Sequence, residues 1–161
     1  REIEARAGAC QRSAVSALLG VMCDAVVDLD PHLVMKEHSA KLAGMLMHDS
    51  GRSLRGAKLV DLLSDPEDRE RFEHLASCAS GGELLPAMFG ARVRDAIGNS
   101  VKTVLYHVPY LSVGGRTHHI VGVREDTNTA AEAAIGGLGT QHILGRVKMP
   151  AAVLTEEVSR R

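Results

Sequence analysis

Tryptophan is absent, and four aromatics serve the whole 161-residue chain: Phe72, Phe89, Tyr106 and Tyr110. There is no excess of basic charge either. The formal net charge is −1, and Lys and Arg are scattered rather than gathered into a stripe. Nucleic-acid binding needs a cationic track and, for single strands, rings to stack on, so no nucleic-acid partner is expected. Cysteine is scarce and odd in number. Cys10, Cys23 and Cys78 lie far apart with no CxxC pair, which argues against a zinc site or a disulfide framework. Buried reduced thiols and an intracellular, cytoplasmic location are the expectation. No apolar run reaches the length of a membrane span. Catalytic signatures are missing too: no GxSxG elbow, HExxH or Walker motif occurs. Gly136-Gly137-Leu138-Gly139 lacks the Lys and Ser/Thr of a phosphate loop and reads as linker. Because the first residue is Arg1, the chain is expected to be a piece of a longer protein.

What is present is ordinary globular material, 45% hydrophobic and 24% charged, enough for one domain with flanking segments. Residues 1–21 have helical character. Ile3, Ala7, Cys10, Ala14, Ala17 and Val21 recur at spacings of four and three, an a/d-type seam for a partner helix. A single helix lying against its own domain accounts for the pattern equally well. Residues 23–30, with β-branched Val26 and Val27 at their centre, read as a strand. Asp30-Pro31-His32 turns the chain, and Leu33-Val34-Met35-Lys36 returns as the second strand of a hairpin. Residues 38–48 read as a helix, and 54–63 as a helical turn.

Asp65-Pro66-Glu67-Asp68 is a clear helix start: a capping carboxylate, a proline suited to the first position, and acids that complement the helix dipole. Phe72 and Leu75 face inward, and Gly81-Gly82 ends the helix. Three strands follow at 86–95, Ser100–Leu111 and Thr117–Glu125. Their connections are too short for crossovers, so they are antiparallel. The middle one is apolar on both faces. From 127 to 161 a linker or tail is expected, with a short helix at 149–158.

The order of these elements resembles the PAS domain family. The resemblance rests on Asp24-Ala25-Val26-Val27-Asp28-Leu29-Asp30 and Leu54-Arg55-Gly56-Ala57-Lys58-Leu59-Val60-Asp61-Leu62-Leu63. It continues through Pro66-Glu67-Asp68-Arg69-Glu70-Arg71-Phe72, Arg94-Asp95-Ala96-Ile97-Gly98-Asn99 and Ile120-Val121-Gly122-Val123-Arg124-Glu125-Asp126, and spans roughly residues 15–126. It implies an α+β fold: a five-stranded antiparallel sheet, its two N-terminal strands central and the last strand beside them, with helices over one face. The implied domains are a flanking helix at 1–21, a PAS-like domain at 22–126 and the tail at 127–161. The implied work is sensing and protein interaction inside a larger signalling protein, often through a homodimer. Ile3, Cys10, Ala14, Ala17 and Val21 on the helix, with Val104, Tyr106 and Val108 on the sheet, are the expected dimer or partner surface.

The family's cofactors can be tested residue by residue. Its photoactive branch carries Gly-Arg-Asn-Cys-Arg-Phe-Leu-Gln. Leu59 stands here where the reactive Cys would be, so no flavin thiol adduct can form. Its oxygen sensors hold haem through a His on the long helix. His74 is the candidate, but by direct counting from Pro66 the ligand position falls on Glu73. One residue turns a helix by about 100°, so an exposed histidine is the favoured reading. No cofactor is therefore expected, and haem or a small metabolite is kept as the alternative. The eight histidines form no metal site by spacing. His118 and His119 point to opposite strand faces, and His107 lies on the neighbouring strand. Polar surface histidines are the favoured reading. The domain is expected to be regulatory rather than an enzyme.

Overall fold

The structure of the protein, a computed structural model, describes residues 2–127. A long helix α1 (Glu2–Met22) leads into strand β1 (Ala25–Leu29). Three helices follow, α2 (Ala40–Met45), α3 (Leu59–Leu62) and α4 (Pro66–Ser80). The chain closes with β2 (Ala87–Arg94), β3 (Ser100–Leu111) and β4 (Thr117–Glu125). The expected tail, with its short helix at 149–158, lies outside the described residues.

The four strands form one antiparallel sheet in the order β1-β4-β3-β2. This is the expected α+β architecture with two differences. The last strand, β4, lies beside β1 as the resemblance implies, but β1 is at the edge of the sheet rather than central. The fifth strand is reduced to isolated bridges, Leu29↔Met35 and Val34↔Lys58. The cause is local. Asp30 Oδ1 accepts the amides of His32 and Val34 at 2.8 and 3.0 Å, and Leu33 takes a φ of 64°. A side chain that captures nearby amides, plus a left-handed residue, breaks a regular ladder. The segment still bonds on both sides, Lys36 N to Asp28 O and Met35 N to Ala57 O.

The helix at 38–48 is shorter than expected because Met47 enters the left-handed region at φ 54°. The turn at 54–63 is helical only over α3, since the preceding residues bend through Gly56 at φ 84°. α4 begins as its sequence dictates. Asp65 Oδ1 accepts the Glu67 amide at 3.0 Å, with Pro66 at the first position. A second carboxylate on that helix, Asp68, accepts the Arg92 amide at 2.9 Å and ties α4 to the sheet edge.

Alternation splits the sheet into two apolar faces. The inner face, with Val27, Phe89, Leu105, Val121 and Val123, packs under Phe72 and the leucines of α2 and α3. The outer face carries Ile120, against which Leu19 and Cys23 at the end of α1 are buried. Gly122 is where that contact is closest. A Cβ there would meet Cys23 Sγ at 2.6 Å and Leu19 Cδ2 at 3.3 Å. The helix therefore lies on the sheet because this position has no side chain.

Two substitutions test the two faces. Val121 is completely buried, so Val121→Asp should destabilise by more than about 4 kcal/mol, the scale of a buried unpaired charge. Wild-type melting would refute its placement. Gly122→Ala overpacks the helix contact and should cost about 1–3 kcal/mol. It should also speed labelling of the Cys23 thiol, read by a thiol reagent on a Cys10→Ser, Cys78→Ser background.

Candidate functional site

Two polar centres interrupt the apolar layers, one on each side of the sheet. The inner one is a histidine pair. His107 on β3 and His119 on β4 point to the core face, 1% and 0% exposed. Their rings stack at 5.1 Å, and His107 Nε2 lies 2.8 Å from His119 Nδ1. Phe72 of α4 covers them with its ring edge-on to His107 at 5.6 Å. The expectation of polar surface histidines is therefore corrected for this pair. The alternation placed His118 and His119 on opposite faces, as found, but the apolar character of both faces hid which one was interior.

The pair has a fixed proton inventory. Each neutral imidazole has one donor and one acceptor nitrogen. One ring donates to the other, so one outer nitrogen is left as a donor and the other as an acceptor, whichever tautomer holds. Those outer atoms, His107 Nδ1 and His119 Nε2, are buried with no hydrogen-bond partner among the described residues. Burial, with His119 alongside, pulls the His107 pKa down to about 4. Burial also lowers that of His119, helped by the neighbouring His118. Both rings are therefore neutral at physiological pH. The pair thus leaves one donor and one acceptor unsatisfied among the described residues.

The outer centre is built on Asp28 of β1. Tyr110 Oη donates to its two oxygens at 2.8 and 3.1 Å. Lys36 Nζ reaches Oδ2 at 3.3 Å, and Arg12 of α1 approaches the same oxygen at 3.7 Å. Burial alone would lower the Lys36 pKa, but the Asp28 charge and hydrogen bond, with Tyr110, outweigh it and raise the value. Burial and the bond to Asp28 raise that of Tyr110. One carboxylate thus joins α1, β1, β3 and the 33–36 segment. In the sequence Asp28, with Asp24 and Asp30, reads as part of a small acidic group solvated at a hairpin edge. The signal was its place on the outer face, one residue pair from the level of a tyrosine two strands later in the sequence, which no local pattern reveals.

The expected surface residues divide into two groups. Ile3, Cys10, Ala14, Ala17 and Val21 are all exposed along one side of α1. Val104, Tyr106 and Val108 are half-buried on the outer face of β3. Tyr106 and Val108 pack with the Leu19–Cys23–Ile120 cluster, against the opposite side of the same helix. The two groups are not brought onto one face. Arg124 lies over the Tyr106 ring at 5.8 Å. His74 is exposed on α4, with Nε2 3.6 Å from Cys78 Sγ, and so does not fit a haem ligand. Leu59 is buried in the core, where a flavin adduct would need a thiol. Cys23 is buried and Cys10 exposed. Among the described residues no cluster of three or more His, Cys, Asp or Glu is placed to hold a metal ion, and no helix is long and apolar enough to cross a membrane.

No family model matches the sequence, and no curated protein matches it. Solved structures do. The PAS domain of an HTR-like protein from Haloarcula marismortui superposes with a TM-score of 0.53 at 16% identity, covering 78% of this chain and all of that one. The PAS domain of BvgS from Bordetella pertussis gives 0.51 at 14% identity, over 75% of this chain and 90% of that one. A PAS domain from a two-component sensor histidine kinase gives 0.51 at 14%, over 72% and 99%. The fold is that of PAS domains.

The histidine pair makes stability depend on pH with a definite sign. Between the ordinary value of 6.5 and about 4, the unfolded chain binds a proton at residue 107 that the folded chain refuses. Stability therefore falls as pH drops through that window and levels off below it. The loss from His107 is on the order of 3 kcal/mol. Chemical denaturation at stepped pH should show it, and His107→Phe should flatten the slope. An unchanged slope in that variant would assign the effect elsewhere.

Proposed function

We propose that this PAS-fold domain is an intracellular sensory and protein-interaction module of a larger signalling protein, without chemistry of its own. It relays through α1 and pairs as a homodimer along that helix. The observation that carries this reading is the two-sidedness of α1. Val15, Leu19 and Cys23 hold one side to the sheet. The other side leaves Ile3 83% and Val21 87% exposed, in line with Cys10, Ala14 and Ala17. At about 100° per residue these two sets lie on opposite sides of the helix. An apolar stripe of this kind on a helix already docked by its other side is suited to a second copy. A change that loosens α1 from the sheet would then alter the pairing, and so bias whatever the flanking chain is joined to.

A second reading is favoured by one specific observation, the unpartnered nitrogens of His107 and His119. A small metabolite with one donor and one acceptor would satisfy both. Haem is less suited, because no histidine of α4 is turned to the core and the two core histidines bond each other.

Solution mass and thiol trapping test the main reading. The full chain should sediment as a dimer, and mild oxidation should link it through Cys10, since seam positions of parallel helices face their own copies within disulfide reach. Cys10→Ser should abolish the link but keep the dimer, and Ala14→Glu with Ala17→Glu should give a folded monomer. A single-chain mass at every concentration would sink the pairing. Native mass spectrometry reports a retained guest and so separates the two readings.

A further inference from the structure

The Asp28 centre stands between two clefts, and Arg12 and Lys36 line both. We infer that the larger cleft, between the first half of α1 and the turn after β3, binds a small organic carboxylate with an apolar body. Its volume of about 810 Å³ falls in the range of small-molecule sites, about 300–1,000 Å³.

Charge decides the class of ligand. On its lining two cations, Arg12 and Lys36, share one carboxylate, Asp28, a formal surplus of one positive charge. Tyr110 and Ser112 also line this cleft, and among the described side chains none that lines it is acidic. The smaller neighbour, about 390 Å³, is lined by Asp28 and Glu37 and is unsuited to an anion. Arg12 is half exposed, and its 3.7 Å approach to Asp28 is longer than a hydrogen bond. Beside its bond to the Tyr110 hydroxyl, the guanidinium keeps further N–H donors, and a carboxylate fits such a planar fork in bidentate fashion.

The walls decide the body. Leu111 and Val113 are 54% and 88% exposed beside the cleft, apolar surface that a hydrocarbon chain would cover. Gly8, inside α1, also lines the cleft, with nothing within 4 Å of where its Cβ would be. Glycine there costs the helix stability and keeps the cleft open. Because α1 and the sheet each supply a wall, an occupant would hold the helix down. The inference does not need the homodimer, whose stripe lies on the far side of α1.

Calorimetry with octanoate, octanol and octylamine on the full chain is the test. Octanoate should bind more tightly than octanol, and octylamine should give no heat. Arg12→Gln should weaken octanoate about tenfold, the scale of one charge-assisted hydrogen bond. Melting should change little, because a half-exposed ion pair at 3.7 Å contributes little to stability. Gly8→Leu should fill the cleft and abolish binding without lowering the melting temperature. Equal binding of octanol, no heat with octanoate, or full octanoate affinity in either variant would overturn the assignment.

Discussion

A strand buried on both sides has no face left for water, and β4 is such a strand. Val121 and Val123 belong to the inner core, while Ile120 lies beneath α1. Two separate apolar layers therefore meet at one backbone. The sheet cannot be completed by helices on one side alone, because the outer face would present Ile120, Val108 and Tyr110 to solvent. The helix that covers them is the segment that precedes the domain. Its seating depends on a missing Cβ at Gly122. The hydrophobic term is non-directional, so this steric fit at Gly122, rather than apolar area, fixes where the helix rests.

Much of this was legible in the residues. Asp65 and Pro66 begin α4 as capping chemistry requires, and the three C-terminal strands follow their alternation and turns. What escaped reading has a common physical origin. Alternation assigns residues to one face or the other but does not say which face is interior. Where both faces are apolar, as in β3 and β4, the usual contrast vanishes. That is why His107 and His119 were read as surface. The seam of α1 was visible, yet the opposite side, with Val15 and Leu19, also repeats at helical spacing. Only the sheet's position tells which side docks. The lost fifth strand was a contest between β-propensity in Leu33–Lys36 and the side chain of Asp30, and the local hydrogen bonds prevailed.

The likeness to solved PAS domains is a likeness of backbone, at identities of 14–16% in the three cases compared. Function has to be argued from what this chain places on that backbone. It places a neutral imidazole pair where a purely apolar core would be more stable, and a four-membered polar junction where the helix meets the sheet. Both are features of side chains rather than of fold. His118 stands beside His119 in the chain but faces the other side, with its ring 5.6 Å from Tyr110. The two centres are thus back to back across one strand.

The two tyrosines have an optical consequence. Both lie on the outer face, beside the α1 contact, and the chain has no tryptophan to mask them. One is free of the Asp28 carboxylate, while the other donates its phenol to it, an arrangement that quenches emission from the ring. Intrinsic ultraviolet fluorescence therefore reads the helix–sheet junction and is nearly blind to the phenylalanine-lined interior. Loss of the bond between Tyr110 and Asp28 would brighten the protein without any dye or label.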